Sequence, residues 1–511
     1  MTVPSIWSEG VSLPTWPSLD GDLEADIVVV GGGITGLTAA TLLQRSGRSV
    51  VVLEAARVGG AETGLTTAHL TELLDTRYHE LESKFGVEGA RMAAESSRAA
   101  IDRIEAFSHE FKRSCGFARV PAYLYAETVE QRRDLEQEFD SLRRLGADVS
   151  WVDSFPLPLR VEAAVRVEHQ AQVQPLEYLR ELASLFIEAG GRIFEDTRVL
   201  SVKDGQPCTV KTEKGEVSAQ DVLVLTNAPV NNRVTLHMRN SAYRSYVVAA
   251  RIEAPFPDAL FFDMNDPYHY TRANKTAAGT FLIVGGEDHK TGKGEETANH
   301  FEALERFTAE KFSVSDFSHR WSGQLIEPVD GLPFIGRNPG ERHVYVATGY
   351  SGNGITFGTL AGIMLRDELR ETPSPWAGLY APDRVKPLAG IKDFVAENVD
   401  FPTSLMKDRL NRGEVKSVDE VPRGEGRLMR ANGKMVALFR DDLGAMHCRS
   451  AVCTHMGCYV QFNQAERSWD CPCHGSRFDP DGAVLNGPAV TPLEEVELDN
   501  AKEEAPSDVP G

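Results

Sequence analysis

One short segment near the carboxyl end of the chain restricts its fold and function more than any other feature. Residues 451–478, AVCTHMGCYVQFNQAERSWDCPCHGSRF, contain four of the seven cysteines of the 511-residue chain and two of its thirteen histidines. Two pairs stand out, Cys453 with His455 and Cys471 with His474. Thiolate and imidazole groups at such short spacings are typical of a metal centre. The segment therefore predicts two loops that meet at one site.

The four side chains suit two kinds of centre. In a [2Fe–2S] cluster with mixed ligands, Cys453 and Cys471 hold one iron while His455 and His474 hold the other. A structural zinc ion takes the same four ligand types. The glycine in each loop favours the cluster, because it permits a tight turn that brings backbone N–H groups toward sulfide. A segment that binds no metal is the third alternative.

The segment resembles the Rieske proteins, most closely those of respiratory and photosynthetic cytochrome complexes. Residues 453–458 and 471–476 match both motifs of that group, C-T-H-x-G-C and C-P-C-H-G-S, in full. The resemblance implies a Rieske [2Fe–2S] cluster with the four ligands named above. It also implies a disulfide between Cys458 and Cys473, and a hydrogen bond from Ser476 to a bridging sulfide.

One departure from that group concerns the reduction potential. The high-potential relatives have a tyrosine two residues after the motif serine, which donates to a ligand sulfur, whereas this chain has Phe478. Loss of a donor to sulfur destabilises the more negative, reduced cluster. We therefore expect a potential below those relatives. A Rieske cluster also carries one electron at a time, so the domain requires a partner that can divide an electron pair.

The amino-terminal region predicts a dinucleotide-binding unit. A buried strand over residues 27–30 leads into a G-x-G-x-x-G motif and a helix from about Ile34 to Ser46, and a second strand over residues 49–53 ends at Glu54. The glycines allow the backbone to approach a pyrophosphate at the positive helix end, and the carboxylate can accept hydrogen bonds from ribose hydroxyls. The candidate cofactor contacts of this unit are Gly31, Gly33, Ile34, Thr35, Gly36 and Glu54.

The region from about residue 24 to residue 370 resembles the D-amino acid oxidase, glycine oxidase and sarcosine oxidase superfamily of FAD enzymes. The likeness rests on VVVGGGITGLTAATLL, VQPLEYLRELA, VLVLTNAP and DGLPFIGRNPGERHVYVATGYSGNGITFGTLAG. It implies FAD as cofactor, with the glycine-rich loop against the flavin and the next helix beginning near its pyrimidine ring. The implied contacts of this loop are Gly349, Gly352, Asn353, Gly354, Ile355 and Thr356.

Two departures bear on how FAD is held. Thr356 stands where sarcosine oxidases have a lysine, and Leu65 stands where relatives that attach FAD covalently can offer a histidine. We therefore expect non-covalent FAD, with His69 in a structural role.

The two resemblances together predict the fold class. We expect an α/β FAD-binding domain, Rossmann-like and of the DAO type, interleaved with an antiparallel-sheet substrate domain and followed by a small all-β Rieske domain. This arrangement is similar to bacterial FAD-dependent oxidoreductases with a carboxyl-terminal Rieske domain. The predicted boundaries are 24–90, 165–240 and 320–371 for the FAD-binding domain, 91–164 and 241–319 for the substrate domain, 372–424 for a partly helical linker, and 425–500 for the Rieske domain.

Composition limits the partners and the compartment. The formal net charge of −21 argues against nucleic-acid binding by bulk electrostatics. Residues 1–10, MTVPSIWSEG, show no signal peptide, and no stretch approaches the roughly 18 apolar residues of a membrane-spanning helix. Cysteines gathered at one site differ from a secreted disulfide scaffold. These features predict a cytoplasmic protein without a transmembrane segment.

The predicted reaction is the oxidation of a C–N bond. An amine or amino acid gives a hydride to FAD, and electrons then leave singly through the cluster to an external acceptor, either a protein or a quinone. The candidate substrate residues are Tyr268, Tyr270, Arg272 and His289. Alternation in the sequence PYHYTR predicts that the first three share one strand face, where Arg272 could clamp a substrate carboxylate.

Two other functions remain open from the sequence. The protein could be an FAD oxidase or monooxygenase that uses O2. It could instead be a non-catalytic redox sensor in which the two spare cysteines of the carboxyl-terminal motifs form the switch.

Overall fold

The computed structural model of the chain describes residues 5–230, 236–292, 300–384 and 413–498. It divides into two compact units, the first formed by Met1–Lys290 with Ala298–Asn398 and the second by Thr291–Thr297 with Val399–Gly511. Of the linker predicted at residues 372–424, residues 385–412 lie outside the described residues, and the part before them contains the short helix Ala377–Tyr380. Within the described ranges, no helix is both long enough and apolar enough to cross a bilayer.

Strands and helices are numbered in chain order. The strands are β1 Leu23–Val30, β2 Val50–Leu53, β3 His69–Leu70, β4 Ala118–Ala126, β5 Val149–Trp151, β6 Ala163–Gln172, β7 Arg192–Phe194, β8 Val199–Lys203, β9 Cys208–Thr212, β10 Glu216–Val224, β11 Asn240–Ile252, β12 Leu260–Asp263, β13 Tyr270–Thr276, β14 Gly279–Lys290, β15 Phe317–Pro328, β16 Phe334–Arg337, β17 Val344–Thr348, β18 Gly426–Ala431, β19 Lys434–Arg440, β20 Met446–Ser450, β21 Gln461–Asn463, β22 Ser468–Asp470, β23 Arg477–Phe478 and β24 Val484–Asn486. The α-helices are α1 Ile34–Arg45, α2 Glu62–Leu65, α3 Tyr78–Glu110, α4 Val129–Arg144, α5 Pro175–Glu188, α6 His300–Phe312, α7 Gly354–Leu369 and α8 Ala377–Tyr380.

An eight-stranded sheet forms the base of the first unit. Its order is β16–β17–β10–β1–β2–β7, with β9 beside β10 and β8 beside β9. The strands from β17 to β7 run parallel. In β1, Ile27 and Val29 join one core cluster while Val28 and Val30 join another, because successive side chains point to opposite faces of a sheet covered on both sides. The observed β1, α1 and β2 confirm the predicted strand–helix–strand unit.

The second sheet of the same unit has nine strands and carries the candidate substrate residues. Its order is β15–β11–β14–β13–β12–β4–β6–β3, with β5 beside β6. Its strand pairs are antiparallel except for β12 with β4. Its strands come from chain segments that lie between strands of the first sheet, which confirms the predicted interleaving. The exact domain boundaries stay a prediction.

The described part of the second unit is built mainly of short strands, as predicted. A three-stranded sheet, β18–β19–β20, and a four-stranded sheet, β21–β22–β23–β24, are both antiparallel. Two loops carry the metal-binding motifs. Residues 453–458 lie between β20 and β21, and residues 471–476 lie between β22 and β23.

A buried arginine ties the last described part of the first unit to the edge of its sheet. The guanidinium of Arg384 donates to both carboxylate oxygens of Asp330, at 2.9 and 2.7 Å, and to the carbonyl oxygen of Pro333, at 2.7 Å. Its Cζ lies 3.9 Å from the ring centroid of Phe334. Because the side chains of Arg384 and Asp330 are only 6% and 12% exposed, water screens this pair weakly.

Replacing Arg384 by alanine would leave a buried carboxylate without its two-pronged partner. We expect Arg384→Ala to lower the free energy of unfolding of the first unit by about 3 kcal/mol, measured by urea denaturation. Arg384→Lys keeps the charge but loses the paired geometry, so it should lose less than alanine does. Equal stability of the wild type and the alanine variant would contradict the expectation.

Candidate active site and metal centre

The turn between β1 and α1 has room for glycine alone at two positions. A Cβ at Gly36 would lie 1.9 Å from the carbonyl oxygen of Gly31. A Cβ at Gly31 would lie 2.6 Å from the carbonyl oxygen of Leu225, and Gly31 has φ +111°. Glycine at these positions permits a tight turn that carries no side chains. The N–H groups in the first turn of α1 are therefore open to a ligand.

The carboxylate of Glu54 is held at the end of β2. Its Oε2 accepts from the backbone N–H of Gly32 at 2.7 Å, and its Oε1 accepts from that of Ala56 at 2.9 Å. Burial raises the pKa of Glu54 despite these two hydrogen bonds. Each carboxylate oxygen of Glu54 has a second lone pair that can accept another hydrogen bond. This geometry allows the predicted contact with ribose hydroxyls, which stays a prediction.

The loop between β17 and α7 meets the same region of the first unit. Gly358 of α7 approaches Thr35 of α1 so closely that a Cβ there would lie 2.6 Å from the Thr35 Oγ1. The Oδ1 of Asn353 and the Oγ1 of Thr356 are buried and have no hydrogen-bond partner among the described residues. Buried polar atoms of this kind require a partner, and two helix amino termini suit an anionic one. The residues present therefore fit FAD.

The predicted FAD contacts fall into two groups that this geometry brings together. Gly31 and Gly33 lie in the β1–α1 turn, Ile34, Thr35 and Gly36 in the first turn of α1, Glu54 after β2, Gly349 and Gly352 in the β17–α7 loop, Asn353 at the amino-terminal cap of α7, and Gly354, Ile355 and Thr356 in its first turn.

The space at Gly36 yields a direct test of the cofactor site. Gly36→Ala forces the backbone apart at the β1–α1 turn, so we expect the affinity for FAD to fall at least about tenfold. The measurement is the ratio of FAD to protein after purification and its dissociation constant. Gly378→Ala is the matched control, because no atom lies within 4 Å of a Cβ there. Full FAD occupancy in Gly36→Ala would contradict the expectation.

A chain of polar side chains runs from the glycine-rich loop to the nine-stranded sheet. The backbone N–H of Gly352 donates to Oδ2 of Asp75, and the hydroxyl of Tyr268 donates to its Oδ1 at 3.1 Å. The rings of Tyr268 and Tyr270 have centroids 5.6 Å apart. The hydroxyl oxygens of Tyr270 and Ser245 lie 2.7 Å apart. The structure thus brings two of the predicted substrate residues to the loop predicted to contact flavin.

The side chain of Arg272 is buried, and its guanidinium donates hydrogen bonds to backbone carbonyl oxygens. Its Nη1 donates to the carbonyl oxygen of Ala68 at 2.8 Å, and both its terminal nitrogens lie 3.4 Å from the carbonyl oxygen of Val173. Its Cζ lies 5.1 Å from the ring centroid of Trp7. Burial lowers the pKa of Arg272 to about 9. The carboxylate clamp stays a prediction, and these internal contacts compete with it.

His69 has the surroundings of a structural residue. Its Nδ1 lies 3.0 Å from Oγ1 of Thr67, and its ring packs against Phe262 and Tyr270 at centroid distances of 5.3 and 5.6 Å. Burial, together with repulsion from Arg272, lowers the pKa of His69 to about 3. The imidazole is therefore neutral and packed, which agrees with the structural role expected for it.

His289 is not brought to the two tyrosines. It pairs with Arg244 across β14 and β11, whereas the neighbouring Ser245 contacts Tyr270. Successive residues of a strand point to opposite faces. The ring of His289 stacks on that of His300 in α6, with centroids 4.4 Å apart. His289 therefore lies on the α6 side of the sheet, apart from the other candidates.

Asp75, Ser245 and Asp288 belong to the same group and were not among the residues predicted from the sequence. Asp288 lies next to His289 in the chain and stands opposite Ser245 in the strand pairing. The run GGEDH, in which two glycines precede two acidic residues inside a strand, is the signal that could have revealed it, since glycine inside a strand often marks a bulge.

The two motif loops of the second unit gather the four predicted metal ligands. Cys453 and Cys471 are each 2% exposed, and the interaction between their thiols lowers the pKa of Cys453 and raises that of Cys471. The rings of His455 and His474 have centroids 5.1 Å apart. Burial, with repulsion from His455, lowers the pKa of His474 to about 4, so its imidazole is neutral, as a metal ligand must be.

Backbone hydrogen bonds shape both loops in the same way. Gly457 N–H donates to the Cys453 carbonyl at 3.0 Å, and Gly475 N–H donates to the Cys471 carbonyl at 3.0 Å. A hydrogen bond from Ser476 contributes to the lowered pKa of Cys453. Two thiols and two imidazoles from matched loops fit a cluster with mixed ligands.

A disulfide joins the two loops. Cys458 and Cys473 are bonded, with their Cα atoms 6.6 Å apart. Their sulfurs and that of Cys471 all lie within 4.8 Å of one another. Because disulfide sulfur cannot act as a thiolate ligand, Cys471 is the member of this group that remains able to bind a metal, as predicted from the sequence.

Phe478 is fully buried in β23 and packs in the same core cluster as Cys453 and Cys471. We expect Phe478→Tyr to raise the reduction potential by about 60 mV, because a hydroxyl donor to ligand sulfur would favour the reduced cluster by about 1.4 kcal/mol. A redox titration followed by visible absorbance measures this. Phe462→Tyr is the control and should shift the potential little; Phe462 is partly buried in β21, which β22 separates from β23. A potential in Phe478→Tyr that is unchanged or lower would contradict the expectation.

Comparisons with known proteins identify the family. The model of the FAD dependent oxidoreductase (DAO) family matches residues 26–368, and the Rieske [2Fe-2S] domain model matches residues 411–497. The chain belongs to this family of FAD dependent oxidoreductases and carries a Rieske domain after the FAD region. It is an oxidoreductase enzyme that binds FAD and a Rieske [2Fe–2S] cluster, which confirms the predicted cofactors and sets the zinc alternative aside.

Individual proteins show the same division. The Bacillus subtilis (strain 168) protein YhfW, whose name describes a Rieske 2Fe-2S iron-sulfur protein, is 32% identical over 496 residues, which is 96% of this chain and 97% of that one. Gamma-glutamylputrescine oxidoreductase of Escherichia coli (strain K12) is 25% identical over 371 residues, 69% of this chain and 85% of that one. The structure of glycine oxidase from Geobacillus kaustophilus superposes with a TM-score of 0.61 at 20% identity, covering 71% of this chain and all of that one. This last likeness concerns the fold alone.

Proposed function

We propose that the protein is a flavin-dependent dehydrogenase that oxidises the C–N bond of an amine or amino acid and releases the electrons singly through its Rieske cluster. The observation that carries the proposal is the union of both cofactor domains in one chain. FAD supplies an acceptor for a hydride and its electron pair, whereas a Rieske cluster takes one electron. The cluster provides an exit that an enzyme reacting directly with O2 does not require.

The substrate class is supported by the family and by the site. One relative is named gamma-glutamylputrescine oxidoreductase, after a compound that contains amine nitrogen, and the fold is shared with a glycine oxidase. In the site, Tyr268 and Tyr270 offer hydroxyl groups beside the glycine-rich loop, and burial raises the pKa of both. They therefore stay neutral and can orient a substrate nitrogen by hydrogen bonding.

The external partner in this proposal is an electron acceptor, either a protein or a quinone. The net charge of −21 favours a protein partner with a basic contact surface. The unpaired thiols of Cys115, Cys208 and Cys448 accord with a reducing compartment, and the proposal keeps the cytoplasm as the location. The domain boundaries and cofactor contacts given above are part of the same proposal.

The test is anaerobic stopped-flow mixing with a panel of amines, amino acids and NAD(P)H. We expect an amine or amino acid to bleach the flavin absorbance, followed by loss of the visible bands of the cluster. In His474→Ala the flavin should still bleach without the second phase. His447→Ala is the matched control, because the His447 imidazole is partly exposed, pairs with Asp481 and is not a predicted cluster ligand.

Two outcomes would contradict the proposal. Hydrogen peroxide production from an amine in air, undiminished in His474→Ala, would indicate an oxidase with a dispensable cluster. Absence of flavin reduction by every amine and amino acid, alongside a reversible thiol change at Cys458 and Cys473 that alters partner binding, would indicate a redox sensor.

A further inference from the structure

An irregularity in β14 turns one carboxylate out of the regular strand pattern. Arg244 of β11 pairs with His289, and Tyr246 pairs with Gly286, so two residues of β14, Glu287 and Asp288, stand opposite the single residue between them. Gly286 has φ +150° and Glu287 has φ +56°. A bulge of this kind re-aims a side chain and is frequent beside active sites.

His269 holds this bulge from the adjacent turn. Its Nδ1 lies 3.0 Å from Oδ2 of Asp263, and its Nε2 lies 3.4 Å from Oε1 of Glu287. Its ring stacks on Phe307, with centroids 3.6 Å apart. Although burial alone would lower it, these two carboxylates raise the pKa of His269 to about 9. A histidine that is charged at neutral pH therefore anchors Glu287, the residue next to Asp288.

The carboxyl group of Asp288 faces the polar chain described above. Asp288 stands opposite Ser245 in the strand pairing, the Ser245 hydroxyl contacts Tyr270, and, besides burial, the charge of Asp288 raises the pKa of both Tyr268 and Tyr270. Its Oδ1 is shielded from solvent and has no hydrogen-bond partner within the described residues. A buried carboxylate oxygen without a donor is costly unless a ligand supplies one.

We propose that Asp288 binds the ammonium group of the substrate and takes one of its protons, and that the site consequently selects amines over α-amino acids. This inference rests on the proposed function. In the step, an N–H bond of R–CH2–NH3⁺ breaks and an O–H bond forms on Asp288, giving R–CH2–NH2 and a neutral carboxylic acid. No electron moves. The neutral amine is the form that can give up a hydride.

The charges around Asp288 explain the selection. The charged groups that act on it are the carboxylates of Asp75 and Glu287 and the cation of His269, which is already shared between two carboxylates. The guanidinium of Arg272 is bound to backbone carbonyls. An α-carboxylate on the substrate would therefore meet like charge, whereas a simple ammonium group meets complementary charge.

The inference is tested by calorimetric binding of tert-butylamine to the purified holoenzyme. This amine is a cation whose α-carbon bears no hydrogen, so it binds without being oxidised. Burial raises the pKa of Asp288 to about 7, with repulsion from Asp75 and Glu287 in the same direction and attraction from His269 opposing it. Binding needs the ionised carboxylate, so affinity should be full above about pH 7 and fall about tenfold per pH unit below it.

Two comparisons isolate the carboxylate. Asp288→Asn should bind tert-butylamine roughly 30-fold more weakly at high pH and lose the pH dependence. Asp258→Asn makes the same change at a side chain that is 56% exposed and should behave as wild type. Neutral tert-butanol should show no such pH profile, and this comparison needs no variant. Equal binding by wild type and Asp288→Asn, equal profiles for the amine and the alcohol, or no binding of the amine at any pH would overturn the inference.

A second experiment, on flavin reduction, tests this inference separately from the proposed dehydrogenase function. Pentylamine and norleucine differ by one α-carboxylate, and we expect pentylamine to bleach the flavin at least about tenfold faster under anaerobic conditions. Faster flavin reduction by norleucine would overturn the inference about Asp288 but would remain consistent with the proposed dehydrogenase function. If no amine or amino acid reduced the flavin, the proposed dehydrogenase function would be contradicted. The calorimetry would still decide whether Asp288 binds an ammonium group.

Discussion

The close approach of α1 and α7 is the contact on which the cofactor site of the first unit depends. A Cβ at Gly358 would lie 2.6 Å from Oγ1 of Thr35, and a Cβ at Gly362 would lie 2.6 Å from Cγ2 of Thr38. Helices from opposite ends of the FAD region can therefore begin side by side. Two positive helix ends at one place suit a cofactor that carries a pyrophosphate and gains negative charge on its ring system when reduced.

In the proposed reaction, the two cofactors differ in the number of electrons that each accepts at a time. Oxidation of a C–N bond releases electrons in pairs, and a Rieske cluster accepts one. A flavin can accept an electron pair and release the electrons one at a time. This property gives a physical reason for one chain to hold both domains. The protein's part in the second unit is to hold two buried thiols and two imidazoles on loops that a disulfide joins.

Sequence predicted the parts of the molecule whose chemistry is local. The β1–α1–β2 unit and the two Cys/His motifs depend on spacing within short segments, so the fold class and cofactors followed from them. The substrate face depends on strand register, which short segments do not encode. His289 was grouped with Tyr270 although the bulge at Glu287 and Asp288 leaves it on the other face. Arg272 lies on the predicted strand, but only the tertiary structure shows its guanidinium bound to carbonyl oxygens.

The proposed substrate face is also asymmetric in charge. The cations within it are engaged by the protein itself: His269 lies between Asp263 and Glu287, and Arg272 is surrounded by backbone carbonyls and Trp7. The carboxylate of Asp288, in contrast, retains an oxygen without a donor among the described residues. In an interior of low dielectric constant, such an arrangement favours a cationic ligand over a zwitterion, because the zwitterion brings a second charge that these engaged cations are poorly placed to neutralise.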